Sequence, residues 1–492
     1  MTRKPKKLTL IFVILFAAVI FSSCRQEASQ TTGWLYNDSR TGGFEVQPYI
    51  GQETGPGLVF IEGGTFVMGR TEQDVMFDWN NIPRRVSVAS FYMDETEVRN
   101  LDYVEYLFWI SRVFGATYPE VYVNALPDTL VWRDPLAYNE PYIYDYLRHP
   151  AYRDHPVVGV SWRQARDYAL WRTDRVNEMI LIREGILDWD PDQVNERNFN
   201  TEAYIAGQYE GLVRQNLPDL DPRGTGERRV RREDGILLPA YRLPTEAEWE
   251  FAALGLIGNT VYERIVERRM YPWDGHNVRS SQSRSLGNFM ANIQRGRGDM
   301  MGVAGNLNDA ADITAPVYAY WPNDYGLYNM AGNVSEWVKD VYRPISHEDV
   351  TEFRPFRGNV FKTLVRDEEG EIVPKDSLGR LIWREVTDEE NVTRRNYRYA
   401  DNISYRDGDH ASSIFYWDEN MRTQPDRLMY EYGETSLIND QARVYKGGSW
   451  RDRAYWIVPG TRRFLDENES TNDIGFRCAM NRVGSAVGGY GR

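Results

Sequence analysis

The segment VYKGGSWRDRAYWIVPGTRR, residues 444–463, has the pattern most typical of an active site in this chain. Two adjacent glycines precede Ser449 and Trp450, and arginines and aromatic residues follow. Nucleophilic or soft-metal chemistry in such a setting uses a cysteine thiolate or a histidine. The segment contains neither residue type, and Asp452 is its one carboxylate. The pattern therefore predicts the frame of an active site without its thiol chemistry.

A second group of candidate ligands lies in the segment NMAGNVSEW, residues 329–337. It offers amide, carbonyl and carboxylate oxygens at short intervals, which is the set of ligands that Ca²⁺ prefers. The alternative interpretation is that its asparagine and glutamate make turn and capping hydrogen bonds. The predicted calcium ligands are the Asn329 side chain, the carbonyls of Gly332 and Val334, and the Glu336 carboxylate.

The composition is that of an acidic globular protein. The chain has 492 residues and a formal net charge of −14, and 42% of its residues are hydrophobic. This length allows two or three average domains, or one large domain with long insertions. The 15 Trp, 32 Tyr and 19 Phe are ample for a core and exclude global disorder. The acidic balance argues against nucleic acid as a partner, because such binding needs a basic surface.

The N-terminus predicts a lipoprotein signal peptide over residues 1–23. A basic start, MTRKPKK, precedes an apolar run at residues 8–21, which is shorter than the roughly 20 residues that span a bilayer. The following SSC resembles the lipobox of bacterial lipoproteins and makes Cys24 the predicted lipidation site. Several acyl chains, such as palmitate, would hold the protein durably on a membrane. The alternative is an ordinary secretory signal with a chance cysteine.

The cysteine count follows from this prediction. The chain has two cysteines, Cys24 and Cys478. If Cys24 carries lipid, no intramolecular disulfide can form, so packing and metal ions must stabilise the fold. We expect Cys478 to be a small buried hydrophobic residue.

Hydrophobic spacing and capping patterns predict an α+β fold with limited regular structure. GLVFIEGGTFVMGR predicts a hairpin, RRVSVASFYMDETEV predicts a further strand, and NLDYVEYLFWISRVF has helical spacing. Ser161 with Gln164, and Thr245 with Glu248, form capping boxes that start two more helices. Gly255 is a plausible end for the second of these. The pattern is not that of a βαβ series.

Ordered motifs along the chain resemble those of the formylglycine-generating enzyme (sulfatase-modifying factor) family. They are FIEGGTFVMGR, FYMDETEV, PVVGVSWRQARDYALW, YRLPTEAEWEFAA, YPWDG, DYGLYNMAGNVSEWVKDVY, KGGSW and IGFRCAM. The resemblance covers residues 57–481 and implies a fold related to C-type lectins. DVMFDWNNIP, RVYKGGSWRDRAYW and the lipobox are also similar to the gliding-motility lipoproteins of Bacteroidota, which are tied to type IX secretion.

The resemblance implies that one chemistry has been lost. In the family's oxygen-using enzymes, two cysteines after the GGS motif bind copper and attack the substrate thiol. Aligned through Gly447 and Gly448, those positions hold Asp452 and Ile457. The sulfoxide-synthase branch needs a His/His/Glu iron site, and the five histidines lack that spacing. The chain is therefore predicted to bind no copper and to be no enzyme.

The resemblance also implies structural calcium. The family's first calcium site falls on the ligands already named at residues 329–337. Its second site maps to the Asn292 side chain, the carbonyl of Ile293, the Asp309 carboxylate and the carbonyl of Ala311. Turn and capping hydrogen bonds remain the alternative at both sites.

The domain organisation follows from the extra length of the chain relative to the family's compact enzymes. We expect a tether at residues 24–56, a domain at 57–481 with insertions at about 114–153, 182–238 and 343–441, and a flexible tail at 482–492. The insertions are the predicted binding surfaces. The implied role is a non-catalytic scaffold, anchored by lipid in the outer membrane on its periplasmic face. Its partners would be other gliding and type IX secretion proteins, such as the GldK/PorK-type lipoprotein and its ring partner. The alternative is a glycan- or peptide-binding module, or a cysteine-independent enzyme, that uses the retained pocket.

Overall fold

The computed structural model describes residues 27–49, 51–70, 80–255, 269–273, 275–294, 311–343, 355–358, 362–387 and 441–484. The chain divides into a larger unit, residues 51–180, 190–211 and 238–492, and a smaller one, residues 1–50, 181–189 and 212–237. Cys24, Asp309 and most of the predicted insertion at 343–441 lie outside the described residues. No helix in the described part is both long and apolar enough to cross a membrane.

Among the described residues the strands are short, and most of them belong to two four-stranded sheets. One sheet has the order β1-β4-β14-β7 and is antiparallel throughout. The other has the order β12-β11-β8-β13, and β13 runs parallel to β8. Three two-stranded ribbons, β2-β3, β5-β6 and β9-β10, complete the set. The strands are β1 (Leu58–Ile61), β2 (Gly64–Met68), β3 (Arg84–Val88), β4 (Phe91–Asp94), β5 (Leu217–Pro218), β6 (Glu227–Arg228), β7 (Tyr241–Arg242), β8 (Ser335–Val341), β9 (Lys362–Leu364), β10 (Trp383–Glu385), β11 (Ala442–Lys446), β12 (Arg463–Asp466), β13 (Ile474–Gly475) and β14 (Ala479–Asn481).

The predicted hairpin within GLVFIEGGTFVMGR is wrong, because its two halves do not pair with each other. β1 pairs with β4 and β2 pairs with β3, so the first stretch pairs with RRVSVASFYMDETEV along both halves. Each stretch therefore supplies one strand to a four-stranded sheet and one strand to the β2-β3 ribbon. A Cβ atom on Gly63 would lie 2.4 Å from the carbonyl oxygen of Val88. The glycine therefore permits a close backbone approach, and it does not form a turn between paired strands.

In the part of the chain that the structure describes, six α-helices accompany the strands, which confirms the predicted α+β class. The Thr245 hydroxyl accepts a hydrogen bond from the N–H of Glu248 at 3.2 Å, and a Glu248 carboxylate oxygen accepts one from the N–H of Thr245 at 2.9 Å. Gly255 ends that helix with φ 56°. Ser161 and Gln164 make the matching pair of bonds. Both predicted capping boxes are thus confirmed. The helices are α1 (Asn100–Phe114), α2 (Pro119–Ala125), α3 (Glu140–Asp145), α4 (Trp162–Arg183), α5 (Thr201–Ile205) and α6 (Glu246–Leu254).

The main hydrophobic core of the larger unit lies around α6. This helix contacts β2, β3, β8 and β11, and its Trp249 and Phe251 are fully buried. The Phe251 ring meets the Phe66 ring edge to face, with centroids 5.3 Å apart. The same cluster contains Met93 from one sheet and Val444 from the other. Helix α6 therefore fixes the end of β11. Residues 447–463, which we call the GGS segment, follow that strand.

Charged side chains are paired beside this core. Both carboxylate oxygens of Glu246 bond the Arg462 guanidinium, at 2.7 and 3.0 Å. The Lys446 ammonium lies 3.1 Å from a carboxylate oxygen of Glu250 and 3.4 Å from one of Glu246. Asp340 accepts the backbone N–H of Glu246 at 2.8 Å. All five side chains are buried, so the loss of one partner would leave another charge stranded.

Because of the Asp340 carboxyl, we expect the stability of the folded chain to fall as the pH rises from about 5 to about 8. Burial, together with the nearby Glu246 charge, raises the pKa of Asp340 from 3.8 to about 7. The folded chain therefore keeps a proton that the unfolded chain has released, so this contribution is full below pH 3.8 and is lost as the pH rises through about 7. Between about pH 5 and pH 8, we expect the urea midpoint of the wild type to fall more than that of Asp340→Asn. Equal changes in the two proteins would contradict this prediction.

Candidate functional site

The GGS segment begins with two glycines that no other residue can replace without strain. Gly447 has φ 95° and Gly448 has φ 67°, and both lie in the left-handed region that favours glycine. A Cβ atom on Gly448 would lie 2.7 Å from a methyl carbon of Ile457 and 2.9 Å from the carbonyl oxygen of Trp456. The chain therefore folds back on itself here, which places Ser449 beside the residues that follow the motif.

Asp452, the first position aligned with a catalytic cysteine, is held by an ion pair. The Arg463 guanidinium bonds both Asp452 carboxylate oxygens, at 2.9 and 2.6 Å. The hydroxyl and the backbone N–H of Ser449 lie 2.8 and 2.9 Å from the same carboxylate. Burial disfavours the charge on Arg463, but its bonds to Asp452 outweigh that effect and raise its pKa. The hydrogen bonds of this carboxylate therefore hold the loop in its conformation.

Ile457, the second aligned position, is part of a small apolar cluster. Its side chain is fully buried with Tyr271, Phe289, Ala331 and Val458. An alkyl side chain offers no lone pair for a metal and no nucleophile. Asp452 therefore belongs to an ion pair, and Ile457 belongs to an apolar cluster.

A cavity of about 480 Å³ opens next to this segment and includes Trp450 and Arg451 in its lining. The rings of Trp450 and Trp132 stack with centroids 6.1 Å apart and planes 21° apart. The Tyr142 hydroxyl donates to Asp312 at 2.9 Å. Burial and the bond to Asp312 raise the pKa of Tyr142 to about 12. The cavity combines aromatic and charged groups, as small-molecule sites do.

Sequence reasoning missed this cavity, because three of its residues come from distant segments. Trp132 and Tyr142 lie in the predicted insertion at about 114–153, and Asp312 follows the second predicted calcium segment. Nothing in their local sequence marks them as neighbours of Trp450. The pairing of a half-buried tyrosine with an acid 170 residues away is a tertiary contact that spacing cannot indicate.

A buried polar network surrounds the first set of predicted calcium ligands. Glu97 accepts the side-chain amides of Asn329 and Asn333, each at 3.0 Å. Glu336 bonds the Arg477 guanidinium through both oxygens at 2.6 Å, and one of them also accepts the Trp249 indole N–H at 2.7 Å. Glu336 thus already has a cationic partner, so a calcium ion there would require its release from Arg477. In this arrangement Glu336 does not fit a calcium ion.

The other residues of the predicted calcium sets are placed as follows. Gly332 bonds the carbonyl of Gly447 through its N–H, and Val334 is fully buried. The Asn292 amide donates to the carbonyl of Ile313 at 2.9 Å and to Asn333 at 3.3 Å, so Asn333 links the two predicted sets. Ile293 is buried and Ala311 is half-buried, and Asp309 lies outside the described residues. Among the residues that are described, no three His, Cys, Asp or Glu side chains gather as metal ligands. Calcium binding therefore stays a prediction.

One further prediction is confirmed here, and three arginines form ion pairs. Arg462, Arg463 and Arg477 each pair with an acidic side chain of the larger unit. Cys478 is fully buried, and burial raises the pKa of its thiol. Its backbone N–H donates to Asp94 at 2.8 Å. The segment after the GGS motif is thus a packed structural element of the larger unit.

An α+β fold with short strands is the fold class that the sequence motifs implied. The chain belongs to the sulfatase-modifying factor enzyme 1-like domain family, whose model matches residues 44–380.

Relatives of this chain include both active and inactive formylglycine-generating enzymes. The formylglycine-generating enzyme of Mus musculus is 26% identical over 320 residues, which is 61% of each chain. That of Thermomonospora curvata is 27% identical over 314 residues, 60% of this chain and 75% of the relative. The inactive Cα-formylglycine-generating enzyme 2 of Mus musculus is 24% identical over 322 residues, 61% of this chain and 73% of the relative. The chain spans 61% and 57% of the lengths of the mouse and bovine enzymes it matches.

The prediction that the chain is no enzyme is contradicted by these relatives. Four of them are named as formylglycine-generating enzymes, and others of the same family are named as inactive. The prediction rests on the absence of the cysteine pair and of a His/His/Glu iron site. These absences concern particular side chains, and they do not remove the chain from a family that contains enzymes.

Proposed function

We propose that this chain is a lipid-anchored component of the gliding-motility and type IX secretion machinery, similar to the lipoprotein GldJ. It is anchored through Cys24 to the periplasmic face of the outer membrane. It binds other components of the machine, such as the GldK/PorK-type lipoprotein and its ring partner, through surface segments of its domain. The sequence motifs and one exposed apolar loop support this proposal.

That loop, residues 134–138, carries the proposal because it presents a leucine at an energetic cost. Asp134 accepts the backbone N–H of Ala137 at 3.1 Å, with Pro135 and Leu136 at the centre of the turn. Leu136 has φ 67°, a position where such turns favour glycine or asparagine. A leucine there costs about 1–2 kcal/mol. It recovers nothing by burial, because its side chain is fully exposed.

A neighbouring aromatic residue extends the apolar surface. Tyr138 is 85% exposed, two residues after Leu136. We call Leu136 and Tyr138 the apolar tip. Tyrosine is among the residue types that are enriched at the energetically important positions of protein interfaces. A strained and exposed leucine is most simply explained by a partner that buries it.

The first test replaces Leu136 with asparagine, which tolerates the left-handed conformation and lacks the apolar side chain. We expect Leu136→Asn to keep or raise the melting temperature, because no buried contact is lost. Recovery of the GldK/PorK-type lipoprotein with the tagged full chain from membrane extracts should fall at least about tenfold, which corresponds to about 1.4 kcal/mol.

The matched control is Leu286→Asn, since Leu286 is also an exposed leucine, at 66%, in another part of the larger unit. It should leave recovery unchanged. The proposed binding surface is contradicted if both variants recover the lipoprotein as well as the wild type does.

The second test concerns the anchor. We expect the chain to incorporate labelled palmitate and to sediment with membranes, because several acyl chains bind a bilayer durably. Cys24→Ala should abolish the label, whereas Cys478→Ala should retain it, since that thiol is buried. Labelling of the Cys24→Ala protein would remove the anchor from the proposal.

Structural calcium is part of the same proposal, bound through Asn292, Ile293, Asp309 and Ala311. The Asn292 amide oxygen and two carbonyls are the neutral oxygen ligands that Ca²⁺ accepts beside a carboxylate. Bound calcium would raise the melting temperature, and a chelator would reverse the increase. An equal melting temperature in calcium and in chelator would count against it.

A second candidate function is favoured by the cavity beside Trp450. Its mixture of tryptophan, tyrosine and charged side chains suits a glycan or peptide, bound or acted on without cysteine chemistry. Titration of intrinsic tryptophan fluorescence with such ligands tests this function. A saturable change that Asp312→Ala abolishes would support it, and no change with any ligand would count against it.

A further inference from the structure

A second cavity, of about 430 Å³, lies on another part of the larger unit and shares no lining residue with the one beside Trp450. It is bordered by the end of β3, the start of α6 and the edge of β14. Three of its charged side chains are cationic and one is acidic, in a chain whose net charge is −14. The charged residues are Arg242, Lys339, Arg482 and Glu248. A concave site of one sign concentrates ions of the opposite sign.

The acidic residue is already neutralised. Glu248 bonds the two terminal nitrogens of Arg242, each at 2.7 Å. Arg242 also donates to the Asn481 side chain through its Nε at 3.0 Å. Both charges of this pair are therefore satisfied within the protein, whereas the Lys339 ammonium has no direct ion-pair partner among the described residues.

The surroundings of the Lys339 ammonium are the central observation. The ammonium has no hydrogen-bond acceptor and no carboxylate within 4.0 Å among the described residues, and it lies 4.6 Å from the centre of the Phe356 ring. Burial and the charge of Arg242 lower its pKa. Lys339 is half-buried and lines the cavity, so its ammonium is available to a ligand that supplies an acceptor.

The remaining lining is suited to a ligand with an apolar part. The Ser90 hydroxyl accepts the N–H of Gly63 at 3.0 Å, which leaves its own hydrogen available to donate. The apolar walls are Val88, Ala89, Ala247, Pro355, Phe356 and Val483. A cation, a hydroxyl donor and apolar walls in a cavity of this size are the features of a small-ligand site.

We propose that this cavity binds an oxyanion, a carboxylate or a phosphate ester, that carries an apolar group. Lys339 pairs with the anion as a point charge, Ser90 donates a hydrogen bond to it, and the apolar group lies against Phe356 and Val88. The site is independent of the apolar tip and of any chemistry at the GGS segment. The ligand can be a soluble ester or acid, or the head group of a lipid.

The test uses the full chain with phenyl phosphate and benzoate as probes, followed by ligand-observed NMR. We expect saturable binding of at least one probe, with a dissociation constant of about 0.1–1 mM. Benzyl alcohol, which has the same ring without the charge, should not bind. Vesicles that contain phosphatidylglycerol form a second arm. Lys339-dependent binding to the vesicles identifies a lipid as the source of the anion, and its absence beside probe binding identifies a soluble ligand.

Two variants and one control make the result specific. Lys339→Gln should weaken probe binding at least about tenfold, because a charge-assisted bond is lost. It should lower the melting temperature little, since the ammonium has no hydrogen-bond or ion-pair partner among the described residues and loses only its contact with the Phe356 ring. Ser90→Ala should also weaken binding. Lys362→Gln, at an exposed lysine outside the cavity, should change nothing. Failure of both probes and the vesicles to bind, or equal affinity in wild type and Lys339→Gln, would overturn the proposal.

Discussion

Replacement of Arg477 by methionine should lower the free energy of unfolding by about 3–5 kcal/mol, because it strands a buried carboxylate. The Arg477 guanidinium bonds both oxygens of Glu336 at 2.6 Å, and neither side chain is exposed to solvent. It also donates to the carbonyls of Asp94 and Tyr328, at 3.1 and 2.8 Å. Methionine fills a similar volume but satisfies none of these acceptors. Urea unfolding of the larger unit measures the loss.

The double variant Arg477→Met with Glu336→Gln provides the control. It removes both charges, and the glutamine still accepts the Trp249 indole N–H that Glu336 now accepts at 2.7 Å. We expect it to be more stable than Arg477→Met alone, since the Glu336 position no longer holds a buried charge without its partner. A double variant as unstable as the single one would show that the ion pair is not the source of the loss.

Replacement of Gly448 by alanine should cost about 2–4 kcal/mol, through two effects that can be separated. The left-handed backbone costs an alanine about 1 kcal/mol. The new methyl group would also lie 2.7 Å from an Ile457 methyl carbon and 2.9 Å from the Trp456 carbonyl oxygen, and such overpacking costs about 1–3 kcal/mol. Thermal or urea unfolding measures the sum.

Gly326→Ala isolates the backbone effect. Gly326 has φ 84°, but a Cβ atom there would meet no atom within 4 Å. We expect this variant to lose only the backbone cost, about 1 kcal/mol. Equal losses in the two variants would mean that the chain around Gly448 relaxes, and that the close return of the GGS segment is not required.

Local patterns predicted the parts of the fold that depend on neighbours in sequence. The capping boxes at Ser161 and Thr245 need partners only three residues away, so the sequence contains the complete interaction. The left-handed conformations of Gly447 and Gly448 are likewise a property of adjacent residues. Cys478 follows from its place in an apolar strand motif. These features could be read without knowledge of the tertiary structure.

Features set by tertiary contacts could not be predicted in the same way. β1 and β2 are adjacent in sequence but pair with different strands, which hydrophobic alternation cannot distinguish. Helix α1 was expected from spacing that included Leu101 and Phe108, yet these residues are 46% and 68% exposed. Its buried side instead carries Tyr103, which stacks on Tyr168 of α4. Aromatic packing between helices thus decided which face is buried.

The candidate site also has features that the sequence predicted and features that are set by tertiary contacts. The sequence identified Asp452 and Ile457 as altered positions, but their present roles depend on Arg463 and on the apolar cluster around Tyr271. Glu336 was expected to bind calcium, and its pairing with Arg477 connects residues 141 positions apart. The strained conformation of Leu136 has no signature in the sequence beyond the preceding proline.

The most direct measurement of the central claim is the affinity between the full chain in detergent and the purified GldK/PorK-type lipoprotein. Isothermal titration calorimetry should give a dissociation constant of about 1 µM or lower for the wild type, and a value at least about tenfold higher for Leu136→Asn. Leu286→Asn should match the wild type. No heat of binding at concentrations up to about 100 µM, or identical affinities for Leu136→Asn and the wild type, would contradict the proposed role of the apolar tip.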